Sequence, residues 1–203
     1  AADLALLGTL GSVLPALEVL ALHELAVPDG VQRLAAVLGA GALPAVTTLA
    51  LNSIDVGDVG ASALAAALGR GALPRLKFLT LNTTAIGDAG LVALAPALRR
   101  LPALEVLSVS YNPFGDEGLA ALMAPSPPAG ALPPTTGGLK KLRTLYLGQT
   151  EITDAGCATL AAALDSGALP ALERVLLNKI PASAAGLAAV HEALARSRPS
   201  APS

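Results

Sequence analysis

Tryptophan does not occur in this 203-residue chain, and its other aromatics are two tyrosines and two phenylalanines. A core assembled without large rings needs many aliphatic side chains in close register, and leucine and alanine are the residues at hand. Cysteine is nearly as scarce. Cys157 stands alone, so an internal disulfide and the oxidised framework of a small secreted domain are excluded. A reducing, intracellular and cytoplasmic setting is the expectation that follows. Charge is thin as well: 14% of residues are charged against 53% hydrophobic, and 13 basic residues face 15 acidic ones for a net charge of −2. A phosphate backbone is held by many clustered Lys and Arg, so nucleic acid is not an expected partner.

Other absences narrow the function classes. The two histidines, His23 and His191, stand near opposite ends of the chain, too far apart in sequence to suggest a shared catalytic centre. No second Cys or His lies beside Cys157, so metal-ligand spacing is missing and neither metal nor cofactor is expected. The runs Gly39-Ala40-Gly41 and Gly69-Arg70-Gly71 are not followed by Gly-Lys-Ser/Thr and read as helix C-caps, not phosphate loops. Residues 34–54 carry no charge, yet Pro44, Asn52 and several glycines interrupt them, so no membrane insertion is expected. The chain opens Ala1-Ala2-Asp3, without an initiator Met or a basic-then-apolar leader, and is expected to be part of a longer protein.

What the chain does have is a repeat. Leu14-Pro-Ala-Leu17, Leu43-Pro-Ala-Val46, Leu73-Pro-Arg-Leu76, Leu101-Pro-Ala-Leu104 and Leu169-Pro-Ala-Leu172 open five segments, and Leu139-Lys-Lys-Leu142 opens a sixth. The starts lie 29, 30, 28, 38 and 30 residues apart. Each unit runs Leu-x-x-Leu-x-Leu, as in Leu76, Leu79 and Leu81, and the period of two in its second half predicts a short strand. A turn and a glycine follow, then leucines four apart, as in Gly90, Leu94 and Leu98, which predicts a helix with one apolar face. Asp29, Asp58, Asp88, Asp116 and Asp154 precede those glycines, and each carboxylate is expected to cap the N-terminus of its own helix.

Such a unit cannot cover its own apolar side, so stacked neighbours are expected to share one leucine core and one parallel sheet in a single domain spanning 1–203. Residues 1–13 read as the helix of a truncated repeat. The long fourth spacing comes from a Pro/Gly-rich insertion over 124–138, expected to be an exposed loop, and 197–203 is expected to be a flexible tail. The basic cluster Lys140, Lys141 and Arg143 reads as a solvated edge.

The Leu-x-x-Leu-x-Leu strands, the Ile-Gly-Asp-Ala-Gly turn at 86–90 and the Leu-Pro restarts resemble the ribonuclease-inhibitor-like class of leucine-rich repeats. That class also occurs in nucleotide-binding immune receptors and in the activating protein of the nuclear-transport GTPase. The resemblance implies an α/β right-handed solenoid, a horseshoe with its parallel sheet on the concave face and its helices on the convex face. It also implies Asn or Cys three residues after the third strand leucine, where this chain has Leu25, Ile54, Thr84, Asn112, Thr150 and Ile180. Only Asn112 matches, so apolar residues and threonines are expected to fill the space of the usual side-chain ladder.

Strand positions between and just after the leucines face away from the core, and a binding site is expected there. The candidates are Phe78, Thr80 and Asn82 on one strand, and Val106, Ser108, Ser110 and Tyr111 on the next. Thr144, Tyr146 and Gln149 follow on the third. Three of the four aromatics fall in this set, and such residues anchor interfaces well. The expected function is a non-enzymatic scaffold holding a protein partner on the concave face. Two alternatives stand beside it. One is a structural subunit held in a larger assembly through its Ala-rich convex helices, and the other is a GTPase-activating protein of the nuclear-transport type.

Overall fold

A computed structural model of the protein describes residues 16–23, 29–124 and 139–197. The segment 1–13, the insertion except for Ala124 and the tail after Ser197 lie outside the described residues. Strands and helices alternate: β1 (Val19–His23), α1 (Gly30–Gly39), β2 (Thr48–Asn52), α2 (Gly57–Gly69), β3 (Phe78–Thr80) and α3 (Asp88–Leu98). They continue as β4 (Val106–Ser108), α4 (Asp116–Met123), β5 (Thr144–Tyr146), α5 (Asp154–Asp165), β6 (Arg174–Leu176) and α6 (Ala184–Ser197). The six strands form one parallel sheet in sequence order, and each helix packs on its neighbours in the stack.

The period of two sorts the strand side chains. Leu20, Leu49, Leu79, Leu107, Leu145 and Val175 are paired in register from strand to strand, and all are buried beneath the helices. Leu34, Leu64, Leu94, Leu122 and Leu160 meet them from the helix side in one continuous aliphatic cluster. Phe114 is the one large ring fully enclosed there, in place of the aliphatic side chains Val56, Ile86 and Ile152 carried at the matching turn of other repeats. Fully burying such a side chain stabilises the fold by about 1.5–3 kcal/mol, which is how a core with almost no aromatics holds. Gly41 and Gly71 close α1 and α2 with φ of 77° and 88°, the left-handed cap that glycine adopts without strain.

The aspartates do something other than cap their own helices. Asp58 Oδ1 accepts from Gly87 N at 2.8 Å and Gly90 N at 2.9 Å, both at the start of the following helix, α3. Asp88 reaches Gly115 N and Gly118 N at 2.9 and 2.7 Å in the same way. Asp116 takes Thr153 N and its hydroxyl at 2.9 and 2.6 Å, and Asp154 takes Ser183 N at 2.7 Å. Asp88, Asp116 and Asp154 are the first residues of their helices and Asp58 the second, already past the position from which a side chain folds back on its own first turn. Their carboxylates extend sideways to the next helix, whose amides are unpaired. Asp29 makes no such cap bond and sits at φ 62°.

The glycines after these aspartates belong to the same device. A Cβ on Gly118 would stand 2.9 Å from Asp88 Oδ1 and 3.2 Å from Leu91 Cβ, so the helices approach this closely because the side chain is absent. At the ladder position Leu25 lies outside the described residues and Ile180 is half-buried. Ile54, Thr84 and Thr150 are buried there, and both threonine hydroxyls turn back on the carbonyls of Leu81 and Leu147. Asn112 makes a full rung. Its Oδ1 accepts from Thr84 N and Ile86 N at 3.1 Å, and its Nδ2 donates to the carbonyls of Leu81, Val109 and Ser110.

Candidate functional site

Two rows of side chains stand on the sheet face away from the helices. The first, in strand register, is Val19, Thr48, Phe78, Val106, Thr144 and Arg174, and the second is Ala21, Ala50, Thr80, Ser108, Tyr146 and Leu176. Neighbouring strands lie about 4.8 Å apart, so six of them spread the rows over about 24 Å. Phe78 is 39% exposed, Leu176 37% and Val19 57%, while Tyr146 is half-buried. Val106 and Thr80 are half-buried as well, and the Thr80 hydroxyl lies buried without a hydrogen-bond partner.

Ser108 and Thr144 are buried. Ser108 turns its hydroxyl to Asn82 Oδ1 at 2.7 Å, and the same oxygen accepts Ser110 N at 3.0 Å. Ser108 and Asn82 therefore bind one repeat to the next, and Ser108 and Thr144 lie under the surface that a partner would meet. Ser110 is half-buried one step further on, and at the corresponding position of the following repeat Gly148 leaves room for Asn178.

Beyond the strands a third row runs through Ser53, Thr83, Tyr111, Gln149 and Lys179, all with φ between 55° and 60°. A left-handed backbone is uncommon outside glycine and asparagine and is held here by the stack: the amides of the first four donate to Asn82, Ser110, Gly148 and Asn178 carbonyls. Tyr111, 52% exposed, is lifted to the rim by this turn beside a shallow hollow bounded by Ser53, Thr83 and Pro113. No glycine signal marks these positions, so sequence patterning missed the shared conformation. Aligning the repeats at their third strand leucine brings them into one column.

Chemistry is sparse among the described residues. No group of three or more His, Cys, Asp or Glu is placed to hold a metal ion, and no helix is long and apolar enough to cross a membrane. His23 ends β1 and His191 lies in α6, the first and last elements of the described stack. Cys157 is buried, and desolvation, followed by the nearby charges of Asp154 and Asp116, pushes its thiol up. A nucleophilic cysteine needs the opposite shift.

A family profile described as Leucine Rich repeat matches residues 101–123 and 138–161. A search among curated proteins finds no match. Among solved structures, one described as Leiomodin-1 Actin-Binding Site 2 aligns over 80% of this chain and 86% of its own, at 18% identity and a TM-score of 0.58. The tropomodulin C-terminal domain of Caenorhabditis elegans aligns over 82% and 92%, at 21% identity and a TM-score of 0.59. At these identities the likeness is one of fold. The repeated strand-and-helix unit, the single parallel sheet and these matches make the chain a leucine-rich-repeat protein, an α/β solenoid.

Proposed function

We propose that this chain is a non-enzymatic protein-recognition scaffold that takes its partner on the concave sheet face, around Phe78, Tyr111 and Tyr146. The observation that carries the reading is the exposure of Phe78 and Tyr111 in a chain that owns four aromatics and fills its core with leucine. Large rings held out on a rigid sheet bury much area at small entropic cost when a partner arrives. The middle of the face, from Thr48 to Tyr146, is uncharged, with His23 at one end and Arg174 and Lys179 at the other. This suits a partner whose central contact is apolar or neutral polar. Val106 and Gln149 extend that contact from the same face.

The ribonuclease-inhibitor-like subclass belongs to the same reading and is supported by a helix in every described repeat. So does an intracellular setting, which suits a buried, reduced Cys157. A second reading, a structural subunit covered on its helices, is favoured by Val59, 71% exposed, and by Val92 beside the exposed alanines of α2 and α3.

Cross-linking mass spectrometry on the native full-length protein separates the two. Links from Lys77 and Lys179 to another protein are expected, and Phe78→Ala with Tyr146→Ala should weaken capture of that protein by about tenfold or more. Because one fold neighbour is described as an actin-binding site, actin belongs among the purified baits. Links confined to the helices, with capture unchanged in the double variant, reject the concave site in favour of the subunit reading.

A further inference from the structure

Just ahead of β3 to β6, at the N-terminal edge of the sheet, one position recurs as Lys77, Glu105, Arg143 and Glu173. Neighbours in this row pair off: Lys77 Nζ lies 3.7 Å from Glu105, and the Arg143 guanidinium donates to Glu173 Oε1 at 2.6 and 2.9 Å. Beside the row opens a pocket of about 450 Å³, whose wall is the turn Pro170, Ala171 and Leu172. Lys140 and Lys141 complete its rim. Both are exposed, and neither makes an ion pair among the described residues.

We propose that this pocket is a second recognition site, taking an acidic and apolar peptide segment of a partner protein. The ammonium groups of Lys140 and Lys141 donate to its carboxylates, and an apolar side chain lies on Pro170 and Ala171. The volume falls in the range of ligand-binding clefts, and an apolar wall with a few placed charges is their usual make-up. A small inorganic anion gains nothing from that wall. A nucleic acid backbone needs many cations, whereas here Lys140, Lys141 and Arg143 stand with Glu105 and Glu173, and Arg143 is already paired with Glu173. Nor do the adjoining stretches of this chain supply the acid: residues 125–138 and 198–203 contain no Asp or Glu. The site is separate from the concave face and does not depend on the function proposed for it.

A labelled octapeptide alternating glutamate and leucine is the probe, followed by fluorescence anisotropy on the full chain and by amide shifts in NMR. Saturable binding is expected, with shifts at residues 139–141 and 170–173. Lys140→Glu with Lys141→Glu should weaken it by about tenfold, while Lys140→Arg with Lys141→Arg should hold it. Both lysines are exposed, so an unchanged melting curve checks that the fold is intact. Absence of saturation up to about 1 mM overturns the proposal. So does a glutamate and serine peptide that binds equally well, a single-stranded oligonucleotide that competes equally, or an affinity indifferent to the charge reversal.

Discussion

Asn112 shows how much one side chain can carry in a stacked fold. It is buried and satisfies donors and acceptors on two repeats at once, which neither the threonine hydroxyls of Thr84 and Thr150 nor Ile54 does elsewhere in the ladder. Asn112→Ala leaves the amides of Thr84 and Ile86 and the carbonyl of Leu81 without that partner in a dry interior, and should cost about 3 kcal/mol. Urea unfolding followed by circular dichroism measures it, and a loss below about 1 kcal/mol would mean that water replaces the carboxamide. The family resemblance singled out Asn112 by its residue type. Its bonding was not legible, because a carboxamide with one matching position in six gives no sign of which neighbours surround it.

Among elements, the misread feature is the most instructive. Four of the five aspartates were visible two residues ahead of a glycine, but the pattern is the same whether a carboxylate caps its own helix or the next. Distance decides it: Asp88 lies 2.7 Å from Gly118 N, thirty residues on. Asp88→Ala should therefore cost about 1 kcal/mol and raise amide exchange at Gly115 and Gly118, at the start of α4, more than at the start of α3. Gly118→Ala should cost about 1–3 kcal/mol through its collision with the same carboxylate, and the double variant should lose less than the sum. Additive losses would show that the two positions act independently. Strands and helices were legible because their periods of two and four are set by the leucines that face the core. Which strand positions face away from the helices was legible for the same reason. That Ser108 and Thr144 are buried there was not, because their burial depends on neighbouring repeats.

Across the molecule the two broad surfaces differ in kind. The sheet face mixes hydroxyls, carboxamides and a few rings, while the helix face presents Val59, Val92 and many alanines where charged residues would solvate it. Ion pairs do little for either: Arg143 with Glu173 and Arg196 with Asp165 are both exposed to solvent. If the helix face is bare in the working protein, Val59→Lys with Val92→Lys should change stability by no more than about 0.5 kcal/mol and raise the solubility limit. Loss of co-purifying subunits from the native source with that variant, at unchanged stability, would instead mark the helices as an interface.

The sideways reach of the aspartates also gives the stack a direction in time. From Asp58 to Asp154, every carboxylate lies earlier in the chain than the amides it serves. On a ribosome releasing the chain from its N-terminus, the cap for each of these helices is already in place when that helix emerges. A nascent repeat docks onto a finished surface, and stalling part-way leaves the earlier caps intact.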